Sequence, residues 1–425
     1  LRSAAVLMSA VAVTAGAVPC PVSFGPVQSA AQVGAPIALA VGLLDGDAFG
    51  DVVVANFSTN QVTVRLGLGD GTFAAPVAHS VGASPFAVTI ADLNADGAND
   101  LAVANQSGNN VSVLLNNGNG TFATHVTYPA GQTTNMVTVA LVNADAHLDL
   151  VTPNVLDRTV SVLLGNGNGT FQPQITFPTP LGPSAVVLGL FDGDASLDIA
   201  VACNAANLNV VRLGNGDGTY QAEEVYTTSS GPISATAGDI NEDGAVDVAM
   251  SNNFSSNVSV FFGVGDGTFG PAVNVATGSR PRSATLIDVN NDGGLDLLTA
   301  NENSNSVSVV IGNGDGTFLP RVDLSGGAAP GPQALAVGDL NADGLLDLVA
   351  VNGAGNTIRV RLNTSRLAGD ANADNQVNGA DLSVLLGLFG ASLAPGTGAD
   401  FNGDGQVNGS DLSVLLGQFG VSCGV

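Results

Sequence analysis

Short apolar runs alternate along most of this chain with polar breaks rich in Gly, Asn, Asp and Pro. In one stretch, residues 86–92 (FAVTIAD) are apolar and β-rich, and 92–100 (DLNADGAND) form an acidic loop. Residues 100–104 (DLAVA) are apolar again, and 106–110 (QSGNN) make a polar turn. Residues 111–115 (VSVLL) alternate, 117–120 mark a Gly/Asn hairpin, and 122–128 (FATHVTY) alternate once more. β-Branched residues with a period of two, punctuated by turn formers, predict four short strands. Helical spacing of apolar positions is missing from this zone.

The stretch recurs. An aspartate opening an apolar run returns at Asp51, Asp100, Asp149, Asp198, Asp247, Asp296 and Asp347, with five steps of 49 residues and a last one of 51. An aromatic keeps the same period at Phe73, Phe122, Phe171, Tyr220, Phe269 and Phe318, always after Gly-(Asp/Asn)-Gly-Thr. Four strands per unit at this period predict the blades of a β-propeller, and seven acidic loops predict seven blades. The seventh unit stops at residues 357–363 (TIRVRLN) without the hairpin and outer strand of the others. Phe24 lies 49 residues before Phe73, and 24–29 (FGPVQS) parallels 73–78 (FAAPVA). The N-terminal strand is therefore expected to complete blade seven, closing the ring over residues 24–364.

Charge sharpens this picture. The chain has 425 residues and a formal charge of −26, with ten Arg and no Lys. Its acids concentrate in the seven blade loops, in two loops near the C-terminus and in hairpins at Asp70, Asp217, Asp266 and Asp315. Lacking a basic patch, the chain offers nothing to neutralise phosphates, which excludes nucleic acid and disfavours anionic membrane surfaces. Residues 1–17 read as a secretory signal peptide: one Arg, an apolar stretch, then Ala15-Gly16-Ala17. No other stretch is long and apolar enough to span a membrane. Of three cysteines, Cys203 takes a slot held by Asn in the other six blades and is expected to be a half-buried free thiol. The sequence leaves open whether Cys20 and Cys423 pair.

The loop pattern is Asp-x-Asn-x-Asp-Gly-x-x-Asp. Hard cations want six to eight oxygens, alternate side chains of a tight loop converge, and clustered carboxylates repel unless a cation sits among them. Four copies are full: Asp92/Asn94/Asp96/Asp100, Asp239/Asn241/Asp243/Asp247, Asp288/Asn290/Asp292/Asp296 and Asp339/Asn341/Asp343/Asp347. Blades one, three and four have Leu at the first position (Leu43, Leu141, Leu190) and Ala for the Gly (Ala48, Ala146, Ala195). Their sets, Asp45/Asp47/Asp51, Asn143/Asp145/Asp149 and Asp192/Asp194/Asp198, are expected to bind more weakly, with blade three the poorest.

The 49-residue unit, with DLNADGxxDLAVAN and NGDGTF, closely resembles the FG-GAP/VCBS repeats of bacterial surface proteins and integrin α-chain propellers. The resemblance implies a seven-bladed propeller with Ca²⁺ loops between the first and second strands of a blade, and adhesion or ligand binding.

A different pattern begins after Arg366. Asp370, Asn372, Asp374, Gln376, Asn378 and Asp381 are followed 30 residues on by Asp400, Asn402, Asp404, Gln406, Asn408 and Asp411. Positions 1, 3, 5, 7, 9 and 12 are EF-hand spacing, with Asp for the final Glu. Each loop leads into an i, i+3, i+4, i+7 run: Leu382, Leu385, Leu386 and Phe389, then Leu412, Leu415, Leu416 and Phe419. Residues 369–421 thus predict two half-hands with paired apolar stripes, and resemble a type I dockerin. That resemblance implies a cohesin-type protein partner in an extracellular assembly, often a polysaccharide-degrading one. Gly379-Ala380 and Gly409-Ser410 depart from the Ser-Thr pair common in cellulosomal dockerins, and basic residues are missing after Arg366.

Other signals carry little. Gly165-x-Gly167-x-Gly169 is followed by strands rather than a helix, so it reads as hairpin turns. His79, His125 and His147 fall in unrelated repeat positions, and there is no G-x-S-x-G elbow. The expectation is a mainly β seven-bladed propeller with a small α-helical dockerin-like domain, holding six well-formed Ca²⁺ sites and at most nine. Functionally it is a secreted or cell-surface, bacterial-type interaction or adhesion protein rather than an enzyme. The alternative is a catalytic or non-catalytic component of a polysaccharide-degrading assembly. An unidentified protein or glycan is expected on the face opposite the acidic loops. There the segments vary most (57–61, 156–159, 205–209, 279–282, 328–333), and Arg280 and Arg282 are the expected exposed anchors.

Overall fold

A computed structural model describes residues 22–326, 331–365, 369–372, 376–393, 398–402 and 404–420. Residues 1–17, Cys20, Asp374 and Cys423 lie outside the described residues.

The 49-residue units fold into seven antiparallel four-stranded sheets, the blades of a propeller. Blade two runs Pro85–Ala91, Asp100–Asn105, Asn110–Leu114 and Val126–Pro129. The second strand of every blade is buried along its whole length. Its period of two explains why these strands read as continuous apolar runs. Val53 and Ala55 pack with Leu101 and Val103 of the next blade, whereas Val52 and Val54 pack with Val349 and Val351 of the previous one. One strand thus feeds two inter-blade cores.

The fourth strand is shorter than the alternation suggests. In blade two it begins at Val126, and Phe122 makes only a single bridge to Asn116. The phenyl ring turns instead toward the preceding blade, edge-on to His79 at 5.3 Å. Phe171 meets Tyr128 at 5.2 Å and Tyr220 meets Phe177 at 5.0 Å in the same way. The periodic aromatic is therefore an inter-blade wedge rather than the first residue of a strand.

Blade seven is completed from the other end of the chain. Gln28–Ala31 pairs with Thr357–Arg361 (Gln28 opposite Val360), and Phe24 bridges Asn363. Arg361 Nη1 donates to the Gly25 carbonyl at 2.9 Å.

The C-terminal unit holds the helices Gly379–Leu388 and Gly409–Gln418. They share a core of Val377, Leu385, Ala399, Val407 and Leu415, with Leu382 and Leu412 partly covered. The expected stripe is only half used. Leu386, Phe389, Leu416 and Phe419 are 57%, 53%, 57% and 50% exposed. Two ten-residue helices cannot cover a stripe that wide with each other alone. Among the described residues, no helix is long and apolar enough to cross a membrane.

Candidate metal centres

Each acidic loop is tied down by its closing aspartate. Asp100 Oδ2 accepts from Leu93 N at 3.0 Å, and Oδ1 accepts from Asn116 N at 2.7 Å. Asp51, Asp149, Asp198, Asp247, Asp296 and Asp347 repeat both bonds, to the amides seven residues before and sixteen after. All seven side chains are buried. Burial pushes the carboxyls of Asp51, Asp100 and Asp347 up to about 6, against the opposing pull of the two amides. These residues read in sequence as metal ligands. In the structure they first clasp the acidic loop to the hairpin between strands three and four. Each oxygen keeps a second lone pair for a cation.

The other ligand positions of the full loops are held by the backbone amides of the turn. Asp92 Oδ1 accepts from Asp96 N at 3.1 Å and Oδ2 from Gly97 N at 2.9 Å. Asn94 Oδ1 accepts from Asp96 N at 3.0 Å, and Asn94 Nδ2 donates to Asp96 Oδ2 at 2.8 Å. Asp239, Asn241 and Asp243 repeat the set, as do Asp339, Asn341 and Asp343. In the loop opened by Asp288, Asn290 Nδ2 donates to Asp292 Oδ2 at 2.8 Å. The backbone explains the Gly. Residues four and six of the loop are both left-handed, as at Ala95 (φ 58°) and Gly97 (φ 89°). A Cβ on Gly97 would touch nothing, so Gly is there for its φ and not for space. Positions 1, 3 and 5 supply oxygen donors of the kind a hard cation takes, although among the described residues the one trio of carboxylates that comes within 4.8 Å of one another is Asp45, Asp47 and Asp51.

Blades one, three and four follow another path. Ala48, Ala146 and Ala195 are not left-handed, and Leu43, Leu141 and Leu190 point outward at 47%, 45% and 43% exposure. The first donor and the left-handed sixth residue are therefore both gone. Blade one partly compensates, because Asp45, Asp47 and Asp51 bring one carboxylate oxygen each within 4.8 Å of one another. Asp192 and Asp194 each accept a backbone amide at 3.0 and 2.6 Å, as Asn143 and Asp145 do at 3.2 and 2.8 Å.

The two C-terminal loops repeat each other. Asp381 Oδ1 accepts from Ala371 N at 2.8 Å and Oδ2 from Asn378 N at 2.8 Å; Asp411 does the same with Phe401 N and Asn408 N at 2.8 and 2.9 Å. Asp400 accepts from Asp404 N and Gly405 N, and Asn402 Nδ2 donates to Asp404 Oδ2 at 3.0 Å. Asp370 is buried at the head of its loop, and Asn372 N donates to Asp381 Oδ1 at 3.3 Å. Asn378 and Asn408 have a structural role as well. Each caps its helix, accepting from Ala380 N or Ser410 N at 2.8 Å. Gln406 Nε2 donates to Ser392 Oγ at 2.7 Å, and Gln376 at the matching position of the first loop is exposed.

Hairpin and acidic loop lie on one face: Gly120 N of blade two donates to the Leu44 carbonyl of blade one at 2.8 Å. The first strands run from there to the opposite face, where Arg280 and Arg282 stand. Arg280 keeps 38% of its side chain exposed and Arg282 is largely covered. Arg280 Nε lies 3.1 Å from Glu302 Oε2 and donates to Asn253 Oδ1, while the Arg282 side chain is only 16% exposed, with Glu302 at 3.9 Å. Glu302 carried no sequence signal. It sits in a turn whose residue type changes from blade to blade.

Seven four-stranded blades with one acidic loop each define a repeat β-propeller. The chain belongs to the FG-GAP-like repeat family, which it matches over residues 44–103, 92–152, 142–201, 191–250, 239–299 and 288–350. Residues 368–419 match the dockerin type I domain. The comparison with curated proteins gives no match. Among solved structures, BBS1N in complex with ARL6DN superposes with a TM-score of 0.60 at 14% identity, covering 81% of this chain and 98% of that one. Virginiamycin B lyase from Staphylococcus aureus gives 0.56 at 12% identity, covering 80% and 99%. An Agrocybe aegerita lectin that recognises non-reducing terminal N-acetylglucosamine gives 0.50 at 20% identity, covering 74% and 85%. At these identities the likeness concerns the fold.

Proposed function

We propose that this protein is an exported, calcium-stabilised binding protein. Its propeller presents a ligand-binding face, and its dockerin-type module attaches it to a cohesin-type partner. One observation carries the attachment: Leu386 and Phe389, on one helix and its C-cap, and Leu416 and Phe419, on the other, stay exposed although the two helices share a buried core. An apolar pair presented twice by a repeated motif suits a protein surface better than water. Ca²⁺ fits the loops by their oxygen donors, and the Asp381 and Asp411 clasps couple loop shape to the helices that carry those side chains. The full loops (Asp92, Asp239, Asp288 and Asp339) and the two C-terminal loops are the proposed strong sites, with those at Asp45, Asp145 and Asp192 weaker. Extracellular placement, in a polysaccharide-degrading assembly or on a surface, follows from the dockerin-type module.

The test is titration of the whole chain against type I cohesin modules, with millimolar calcium and with EDTA. Binding that disappears in chelator and falls in a Leu386→Ala/Leu416→Ala double variant supports the proposal. Binding unaffected by both, or none to any cohesin module, overturns the attachment role.

A further inference from the structure

Six of the seven blades begin at the face opposite the acidic loops with a left-handed residue, followed by Pro in five of them. The φ values are 53° at Ala35, 57° at Ser84, 77° at Gly182, 74° at Gly231 and 61° at Arg280. The residue after that Pro is bulged. Register shifts fall between Pro36 and Ala38, Pro85 and Ala87, Pro183 and Ala185, Pro232 and Ser234, and Pro281 and Ser283. A bulge leaves one residue out of the ladder and re-aims its side chain. The five residues so placed are Ile37, Phe86, Ser184, Ile233 and Arg282. All five line one cavity of about 390 Å³, together with Asn135 of blade three and Gln333 of blade seven. Every blade thus delivers one side chain to the same chamber. The slot is a bulge in five blades and carries six different residue types over the seven. Repeats that serve only the ring have no need of that difference.

The charge of this ring is singular. Arg282 is its one charged member, and no acid lines the cavity among the described residues, although the chain carries −26. Arg280 is committed: its Nε faces both Asn253 Oδ1 and Glu302 Oε2 at 3.1 Å. Arg282 is not. Among the described residues it makes no hydrogen bond, its only ion pair is the 3.9 Å approach to Glu302, and its side chain is 16% exposed. Its guanidinium nitrogens are not among the buried unpartnered groups, so they keep access to solvent beside the chamber and leave room for a planar anion to bond them. Arg280, too, occupies a backbone slot that Gly182 and Gly231 fill without strain in the two preceding blades.

We propose that this axial cavity binds a small ring-borne carboxylate. The carboxylate would lie in the Arg282 fork, the ring face against Phe86, Ile37 and Ile233, and further polar groups on Asn135 and Gln333. One free guanidinium matches one planar, two-oxygen monoanion. The volume is that of an ordinary small-molecule site. Two sources share this chemistry: an acidic sugar such as a uronate, and an aromatic acid. The inference deepens the ligand-binding half of the proposed function. It is independent of the dockerin-type module.

The test uses the full chain in calcium buffer, with ligand-observed NMR and calorimetry against galacturonate, its neutral methyl ester, benzoate and benzyl alcohol. The expected result is saturable binding of galacturonate or benzoate, whichever source is correct, with the neutral counterpart at least about tenfold weaker. Arg282→Gln should weaken binding by a similar factor, whereas Arg321→Gln, at a part-exposed ion pair just before an outer strand, should leave it unchanged. Ile233→Trp fills the chamber without touching charge and should abolish binding even if Arg282→Gln folds poorly. Failure of both acids to bind at 10 mM (about 2.7 kcal/mol of affinity), equal binding of acid and neutral probe, or full binding by Ile233→Trp overturns the proposal. Cohesin binding, read on the same samples, reports the attachment role separately.

Discussion

Asp92 and Asp100 belong to one loop and answer to different chemistry. Asp92 holds the turn open to solvent, with its oxygens on Asp96 N and Gly97 N. Asp100 is buried and joins two backbone segments. Asp100→Asn keeps the shape but turns an amide NH₂ toward a backbone N–H, leaving a buried donor unpaired. It should cost about 1–3 kcal/mol in chelator as well as in calcium. Asp92→Asn should be close to neutral in chelator and lose most of the stabilisation that calcium gives. Chemical denaturation of both variants, with and without calcium, reads the difference. Equal behaviour would mean that Asp100 is a ligand first and a clasp second. Sequence spacing could not divide these roles, because a carboxylate closing a tight acidic loop looks the same in either. Cys203 makes a second residue-scale case. It is fully buried, beyond the half-burial expected from its slot, and burial pushes its thiol up to about 12. Iodoacetamide at pH 8 should leave Cys203 unlabelled in the native protein and label it after denaturation, as read by peptide mapping. Native labelling at the denatured rate would contradict its place in the core.

At the scale of elements, what repeats was legible and what varies was not. Strand two of each blade declares itself because both its faces are buried. The start of strand four does not: Phe122 continues the alternation of residues 122–128, yet serves the neighbouring blade. Helical spacing likewise found both C-terminal helices but overcounted their buried face, since a stripe shows that a face is apolar and not what covers it. The Pro-marked bulges keep the period of 49 and could have been found. That their side chains share a chamber depends on ring closure, which no single unit contains. Closure itself is testable. Truncation through residue 31 removes Gln28–Ala31 from blade seven and bares Thr357–Arg361 along its length, so it should lower the melting temperature and promote aggregation. Truncation of residues 1–17 should do neither. Light scattering during a thermal ramp separates the two. A longer truncation that stays monodisperse and equally stable would show that blade seven stands on three strands.

For the whole molecule, the formal charge of −26 is held mainly in short acidic loops. Folding gathers these carboxylates, and the unfolded chain lets them separate, so the metal-free fold works against its own electrostatics. Six Ca²⁺ ions would carry the charge from −26 to about −14, and nine to about −8. Each ion bound only by the folded chain adds about 2.7 kcal/mol at a hundredfold excess over its dissociation constant. Six such sites act together wherever the unit that holds them unfolds as one. The expected outcome is a rise in melting temperature well beyond what a single site gives, increasing with calcium concentration. Magnesium should give much less, since these flexible loops do not enforce its octahedron. Three conditions decide it: EDTA, millimolar magnesium and millimolar calcium, followed by scanning calorimetry. Monovalent salt at matched ionic strength controls for screening, which would stabilise any chain this acidic without a specific site. A calcium curve that coincides with the salt control would leave the loops as Asx-turn networks, with the placement of their oxygens explained by backbone amides alone.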